Sequence, residues 1–332
     1  MINYRFSGHE TFPCRYSWLP KAVNALKDKP KLFSDEEKAI VVLGVGKNMV
    51  RAVRFWMQAT GVVEPNSSGG EGYRVTKFGE LLLGKNGLDR YLEDRRTLWL
   101  LHWKLLTQKE PLFAWDYLYN HWSQPDITRT QVVDAFEREA SRMDKKLSRV
   151  TLEQHFDVFL HTYVPTRGRK GKVVEDNLDC PLIELELIEK IGEKPIDSSG
   201  RHETAYAFRR EIKPDITPEV FIYCLYDYWR NRKSNEATLT FRDVSVEPGS
   251  IGQVFKLPEW EIRERLDSLK DDSGGLFEYR ETASQQQVIC HKLKDVSENE
   301  LLIRIFDPTA EDFSLHEAFN DSNEQQELPL AR

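Results

Sequence analysis

Cysteine is scarce in this 332-residue chain. Cys14, Cys180, Cys224 and Cys290 stand far apart, with no CxxC pair and no companion histidine at finger spacing. That argues against a structural zinc site, and scattered thiols suit a reducing cytoplasm. Long apolar runs are missing too. No stretch of about 18 apolar residues occurs, so no segment is expected to span a membrane. The N-terminus, MINYRFSGHETF, lacks an apolar signal core, so export is not expected and the chain is assigned to the cytoplasm. What is present points to a folded protein: 40% of residues are apolar and 11% aromatic, which excludes a disordered chain. The length suggests two or three domains.

The formal net charge of −7 conceals a split. Residues 1–172 hold 28 Lys/Arg and 20 Asp/Glu, a net of +8, whereas residues 173–332 hold 19 and 34, a net of −15. Such asymmetry points to a polyanion-binding front and an acidic rear suited to protein partners. Two domains with ordinary but different surfaces would give the same counts.

Local pattern predicts a mainly α fold with small β-hairpins (α+β), built as tandem winged helix-turn-helix-like units joined by a helical linker. The expected divisions are residues 1–86 (a winged-helix DNA-binding unit), 87–127 (an aromatic helical linker) and 128–212 (a second winged-helix-like unit with a basic loop). Residues 213–306 make a third such unit and 307–332 an acidic tail. In the first unit, Ser34-Asp-Glu-Glu37 reads as a capping box that opens a short apolar helix. Gly44-Val-Gly46 then breaks it, and a second helix is predicted from about Lys47 to Thr60, followed by a hairpin around residues 66–70. Met49, Val53, Trp56 and Met57 share its inward face. Lys47, Arg51, Arg54 and Gln58 form a stripe on the opposite face, bordered by Asn48. Residues 45–54 contain no carboxylate. An uncompensated stripe of this composition suits a major groove, where Arg forks onto guanine and Asn or Gln onto adenine.

The second unit repeats the order more weakly. Thr128 and Ser148 are predicted to cap its two helices, and Leu152, Phe156, Phe159, Leu160 and Tyr163 line the buried side of the second. That helix presents no basic face. Lys145, Lys146 and Arg149 precede it, and Arg167, Arg169, Lys170 and Lys172 follow in a Gly-containing loop, suiting phosphate contact rather than base reading. In the third unit Thr217-Pro218 opens an aromatic helix, and Pro258 begins a helix of mixed charge that suits protein contacts. Trp99, Trp103, Trp115 and Trp122 lie between the first two units. They fit either base stacking on a single strand or the core of a connecting bundle.

Motifs for chemistry are sparse. Leu43-Gly-Val-Gly-Lys-Asn48 lacks the first glycine and the hydroxyl residue of a phosphate loop. A nuclease needs clustered carboxylates for a metal ion or a histidine to activate water. The candidates are Asp176, Asp179, Glu184 and Glu186 as metal ligands, and His9 with Glu10 as catalytic groups.

Four blocks resemble a known family: Phe6-Ser-Gly-His-Glu-Thr-Phe-Pro13, Leu43-Gly-Val-Gly-Lys-Asn-Met-Val-Arg51, Thr97-Leu-Trp-Leu-Leu-His-Trp103 and Leu178-Asp-Cys-Pro-Leu-Ile-Glu184. These are similar to the SspB-type proteins of single-strand DNA phosphorothioation and anti-phage defence systems, a family catalogued as a domain of unknown function. The similarity runs from about residue 6 to 293. The resemblance implies action on double-stranded DNA beside a sulfurtransferase and an ATPase. It further implies nicking of one strand for sulfur insertion, with Mg²⁺ or Mn²⁺ as the cofactor of a nuclease. It carries over no catalytic residue by position. A non-catalytic DNA-binding adaptor or transcriptional regulator is the alternative, and a scaffold that binds only proteins is a third reading.

Overall fold

The computed structural model describes residues 2–66, 72–165, 180–196, 200–282, 285–291 and 296–308. The first unit opens with α1 (Trp18–Asp28), a 3₁₀ turn at Leu32–Ser34, α2 (Glu36–Leu43) and α3 (Lys47–Ala59). Antiparallel strands β1 (Val63–Pro65) and β2 (Tyr73–Val75) follow, then α4 (Lys77–Leu83). The predicted cap moves by one residue. Ser34 ends the 3₁₀ turn, and the Asp35 carboxylate accepts the Lys38 N–H at 3.1 Å. The carboxylate wins because it also meets the positive end of the helix dipole. Gly44, at φ +61°, makes the turn into α3 that a side chain would strain.

Helix α5 (Arg95–Thr107), α6 (Phe113–Asp116) and a π-helical turn at Tyr117–His121 form the link to the second unit. Trp99, Trp103 and Trp115 are sealed from solvent here. Their expected alternative role in base stacking therefore fails for these three rings, while Trp122 is half-buried.

The second unit runs β3 (Ile127–Thr128), α7 (Arg129–Arg142), α8 (Arg149–Tyr163), β4 (Ile188–Pro195) and β5 (His202–Phe208), with sheet order β3–β5–β4. Thr128 and Ser148 accept the N–H groups of Gln131 and Thr151 as caps, as the sequence predicts. The third unit runs α9 (Pro218–Arg232), β6 (Thr238–Thr240), α10 (Phe241–Ser245), α11 (Ile251–Phe255), α12 (Glu259–Asp267) and α13 (Leu269–Asp272). It closes with β7 (Phe277–Glu281) and β8 (Gln286–Cys290), and its sheet order is β6–β8–β7. Pro258 caps α12 from outside rather than starting its first turn, since its ψ of 151° is extended. Finally α14 (Glu298–Phe306) lies against α9 and α4. Only Asp307 and Pro308 of the expected acidic tail are among the described residues. Among those residues no helix is long and apolar enough to cross a membrane.

The units share one apolar core. His102 of α5 sits at its centre, fully buried, with Nε2 donating to the Val254 carbonyl and Nδ1 accepting from the Tyr163 hydroxyl, each at 2.9 Å. That one ring ties α5, α8 and α11 together. Burial pushes its pKa down to about 3, and burial also pushes His9 down to about 4 and His155 well below the usual range.

A histidine held neutral in the fold takes up a proton only on unfolding once the pH drops below about 6.5. Its contribution is therefore full above about pH 7 and lost as the pH falls toward 4, by about 1.4 kcal/mol per pH unit for each group. The urea midpoint should decline steadily from pH 7 to pH 5, and His102→Gln should be less stable but decline less steeply. An equal slope in that variant would contradict the assignment.

Candidate nucleic-acid interface

The first sequence block folds onto the second half of α3. Residues 5–13 run beside α3, with the Arg5 N–H and carbonyl bonded to Pro111 and Phe113 at 3.0 Å. Gly8 adopts φ +112°, and a Cβ there would stand 2.8 Å from the Phe55 ring. Glu10 and Thr11 also take positive φ, so the chain doubles back tightly. The Arg5 guanidinium lies 4.7 Å from the centre of the Phe55 ring, and Trp56 Nε1 donates to the Phe12 carbonyl at 2.9 Å.

His9, a candidate catalytic group, is placed in this seam rather than at the surface. It is 4% exposed, with Nε2 3.1 Å from His155 Nδ1 and Nδ1 3.2 Å from the Thr11 nitrogen. The Ala114 N–H donates to His155 Nε2 at 3.1 Å, which fastens that ring to α6 in turn. Both nitrogens of His9 are engaged, so the ring fastens the segment to α8. Glu10 is partly exposed, and its charge acts on Arg51.

Lys47, Asn48, Arg51, Arg54 and Gln58 do share the outer side of α3, while Val50, Ala52, Val53, Phe55, Trp56, Met57 and Ala59 are buried. The stripe is narrower than expected, and it is not uncompensated. Glu36, one helix earlier, places one oxygen 2.6 Å from Arg51 Nε and the other 3.2 Å from Lys47 Nζ. A gap in carboxylates along the sequence says nothing about a neighbouring helix. Arg54 makes no ion pair among the described residues.

Helix geometry puts Gln58 roughly 16 Å along the axis from Lys47. There the stripe enters an open cleft of about 650 Å³ between the first unit, α5 and α9. Arg5, Lys109 and Arg232 bring positive charge to its walls, and Glu64, Asp116 and Asp227 oppose them. Asp227 is saturated by Trp103 Nε1 and Lys104 Nζ, both at 2.8 Å, and by Asn231 at 3.0 Å.

Elsewhere the basic candidates divide. Lys145 and Lys146 are exposed between α7 and α8. Arg149 is caged by Asp134, Glu137 and Glu153 at 2.8–3.4 Å, so its charge is spent within the fold. Arg167, Arg169, Lys170 and Lys172 lie outside the described residues, as do Asp176 and Asp179.

The two described metal candidates do not converge. The Glu184 carboxylate accepts the Tyr16 hydroxyl, and Glu186 pairs with Arg209 at 2.7 Å. Among the described residues no group of three His, Cys, Asp or Glu side chains stands ready for a metal ion. These donor sets do not fit Mg²⁺ as they stand, because each carboxylate already has its partner.

A family model described as a protein of unknown function (DUF4007) matches residues 6–306. The chain belongs to that family. Its fold also matches two solved structures of SspB. The magnesium ion-bound crystal structure of SspB superposes with a TM-score of 0.76 at 26% identity, covering 91% of this chain and 86% of that one. A second SspB crystal structure matches at 0.76 and 25%, covering 90% and 87%. The SspB-type resemblance of the four sequence blocks therefore extends over almost the whole fold. No curated protein matches the chain in sequence.

Replacing Gly8 by Ala tests how the segment supports α3. The strained φ and the contact with Phe55 should cost about 1–3 kcal/mol in chemical denaturation. A variant as stable as the parent would show that the segment does not depend on this turn.

Proposed function

We propose that this protein is a DNA-binding component of a phosphorothioation and phage-defence system that nicks one strand of duplex DNA. The observation that carries the reading is the Lys47–Asn48–Arg51–Arg54 side of α3, exposed at Lys47 and Asn48 and half-buried at the two arginines, on the second helix of a tight helical pair in a fold that matches SspB over most of its length. Three winged-helix units with an intervening helical linker are part of the reading. Support comes from the sheets, since β3–β5–β4 and β6–β8–β7 both place the first strand beside the last, with helices between them in sequence. Positioning on the duplex falls to Lys47, Arg51, Lys145 and Lys146 through phosphates, while Asn48 and Arg54 reach base edges.

Here Glu36 acts as a brake on binding. It must release Lys47 and Arg51, or share them, when phosphate approaches. Glu36→Gln should tighten duplex binding by roughly two- to fivefold, an effect that fades as salt rises. Arg51→Ala should weaken binding and lower the slope of log affinity against log salt by about one. Unchanged affinity in both variants would remove α3 from the interface.

Nicking is tested by incubating supercoiled plasmid with the protein and Mg²⁺ or Mn²⁺. The expected product is open-circular DNA, lost on chelation. Binding without any open-circular product would favour the second reading, a DNA-binding adaptor that recruits a sulfurtransferase and an ATPase.

A further inference from the structure

Asp116 and the π-helical turn that follows it hold chemistry that the DNA grip does not use. Tyr4 Oη donates to Asp116 Oδ2 at 2.6 Å and Asn120 Nδ2 to Oδ1 at 2.8 Å. Asn120 is itself fixed, since its Oδ1 accepts the Gly249 N–H at 2.8 Å. His121 Nε2 stands 3.4 Å from Asp116 Oδ2. The Asp116 side chain is 8% exposed whereas that of His121 is 44% exposed, so a buried carboxylate faces an accessible imidazole. The turn Tyr117–His121 is π-helical, a conformation that inserts an extra residue and recurs at functional sites.

The surroundings suit a phosphodiester. His121 opens onto a hollow of about 510 Å³, lined also by Gln124, Gln131 and Arg138. Gln131 and Arg138 are seven residues apart on α7 and therefore share a face. Arg138 is exposed and forms no ion pair among the described residues, while Asp134, the acid that lines the hollow, is held by Arg149. Asp116 lines the cleft into which the α3 stripe runs, and its carboxylate stands 3.4 Å from His121, which lines the hollow.

We propose that His121, oriented by Asp116, is the proton acceptor for strand hydrolysis, with Arg138 holding the phosphate. The proposal rests on the nicking reading above. With Nε2 standing 3.4 Å from the Asp116 carboxylate, Nδ1 is the ring nitrogen left to take a proton. A water oxygen forms a bond to phosphorus as its proton passes to Nδ1, and the bond from phosphorus to the leaving deoxyribose oxygen breaks. The leaving oxygen takes a proton from solvent, and His121 returns its own to solvent. Asp116 is a positioning residue.

The charged groups around His121 set its pH behaviour. Asp116 and then Glu139 raise its pKa above the ordinary value against an opposing effect of burial, while Asp134 and Arg138 share the hollow. Burial alone would raise the Asp116 pKa, but His121, Tyr4 and Asn120 outweigh it and keep the carboxylate ionised.

The test compares the wild-type chain, His121→Gln and Asp116→Asn on supercoiled plasmid from pH 5.5 to 9, with duplex affinity and circular dichroism measured alongside. Nicking by the wild type should rise with pH through the His121 pKa and then level. His121→Gln should nick at least roughly 100-fold more slowly with unchanged affinity and spectrum. Asp116→Asn should shift the rising limb to lower pH, with the same shift in the His121 ring signal by nuclear magnetic resonance. Where Asp116→Asn does not fold, His121→Gln decides alone. Nicking by His121→Gln within a few-fold of wild type overturns the proposal while leaving the nickase reading intact. No nicking by the wild type overturns both.

Discussion

A buried seam of rings fixes where the exposed residues of this protein can stand. His9 meets His155 at one end, Trp115 lies edge-on to His155 with centroids 5.6 Å apart, and Trp56 lies edge-on to Trp115 at 5.9 Å. Each contact joins a different stretch of chain: the N-terminal segment, α8, α6 and α3. Edge-to-face pairs add about 0.5–1.5 kcal/mol apiece beyond their apolar burial. Truncating any of these indoles would cost several times more. Because α1, α2 and β1 pack around α3 beside the seam, only one narrow side remains for solvent. The composition of that side is what distinguishes this helix from the other two second helices, which carry caged or mixed charge.

Electrostatics follow the same division between sealed and open. The histidines of the seam stay neutral, so they add nothing to the field. His121, half open and facing Asp116, is held closer to the charged form. Lys104 is nearly buried, and burial alone would strip its proton. Tyr223, Asp227 and Glu298 outweigh that and keep it charged, linking α5 to α9 and α14. A chain with net −7 can thus still present a basic ridge, since much of its acid is paired internally or lies in the rear half.

Much of the fold was legible because local signals agreed with packing. Thr128, Ser148 and Thr217 are hydroxyl caps directly before apolar stripes, and all three open helices where expected. The paired glycines Gly274 and Gly275, both at positive φ, close the third unit's helices before its hairpin. Long-range pairing was hidden. Nothing near Lys47 or Arg51 in sequence announces Glu36, and nothing near His9 announces a partner 146 residues away. The His121–Asp116 pair was missed for a different reason. A five-residue spacing matches neither the three- nor four-residue step of an α-helix, and only a π-turn brings such residues together. The Asp–x₄–His spacing beside Asn120 was the one available signal.

If α3 of the first unit meets duplex DNA, α12 of the third unit faces elsewhere. Iron–EDTA tethered to one accessible cysteine, placed by Asn48→Cys or by Trp260→Cys in a Cys290→Ser background that leaves only the buried Cys14, Cys180 and Cys224, reads this directly through local cleavage of a bound, end-labelled duplex. Both positions are exposed, so both accept the probe. Cleavage confined to about one helical turn from position 48, with none from position 260, is the predicted result. Cleavage from position 260 alone, or diffuse cleavage from both, would contradict it.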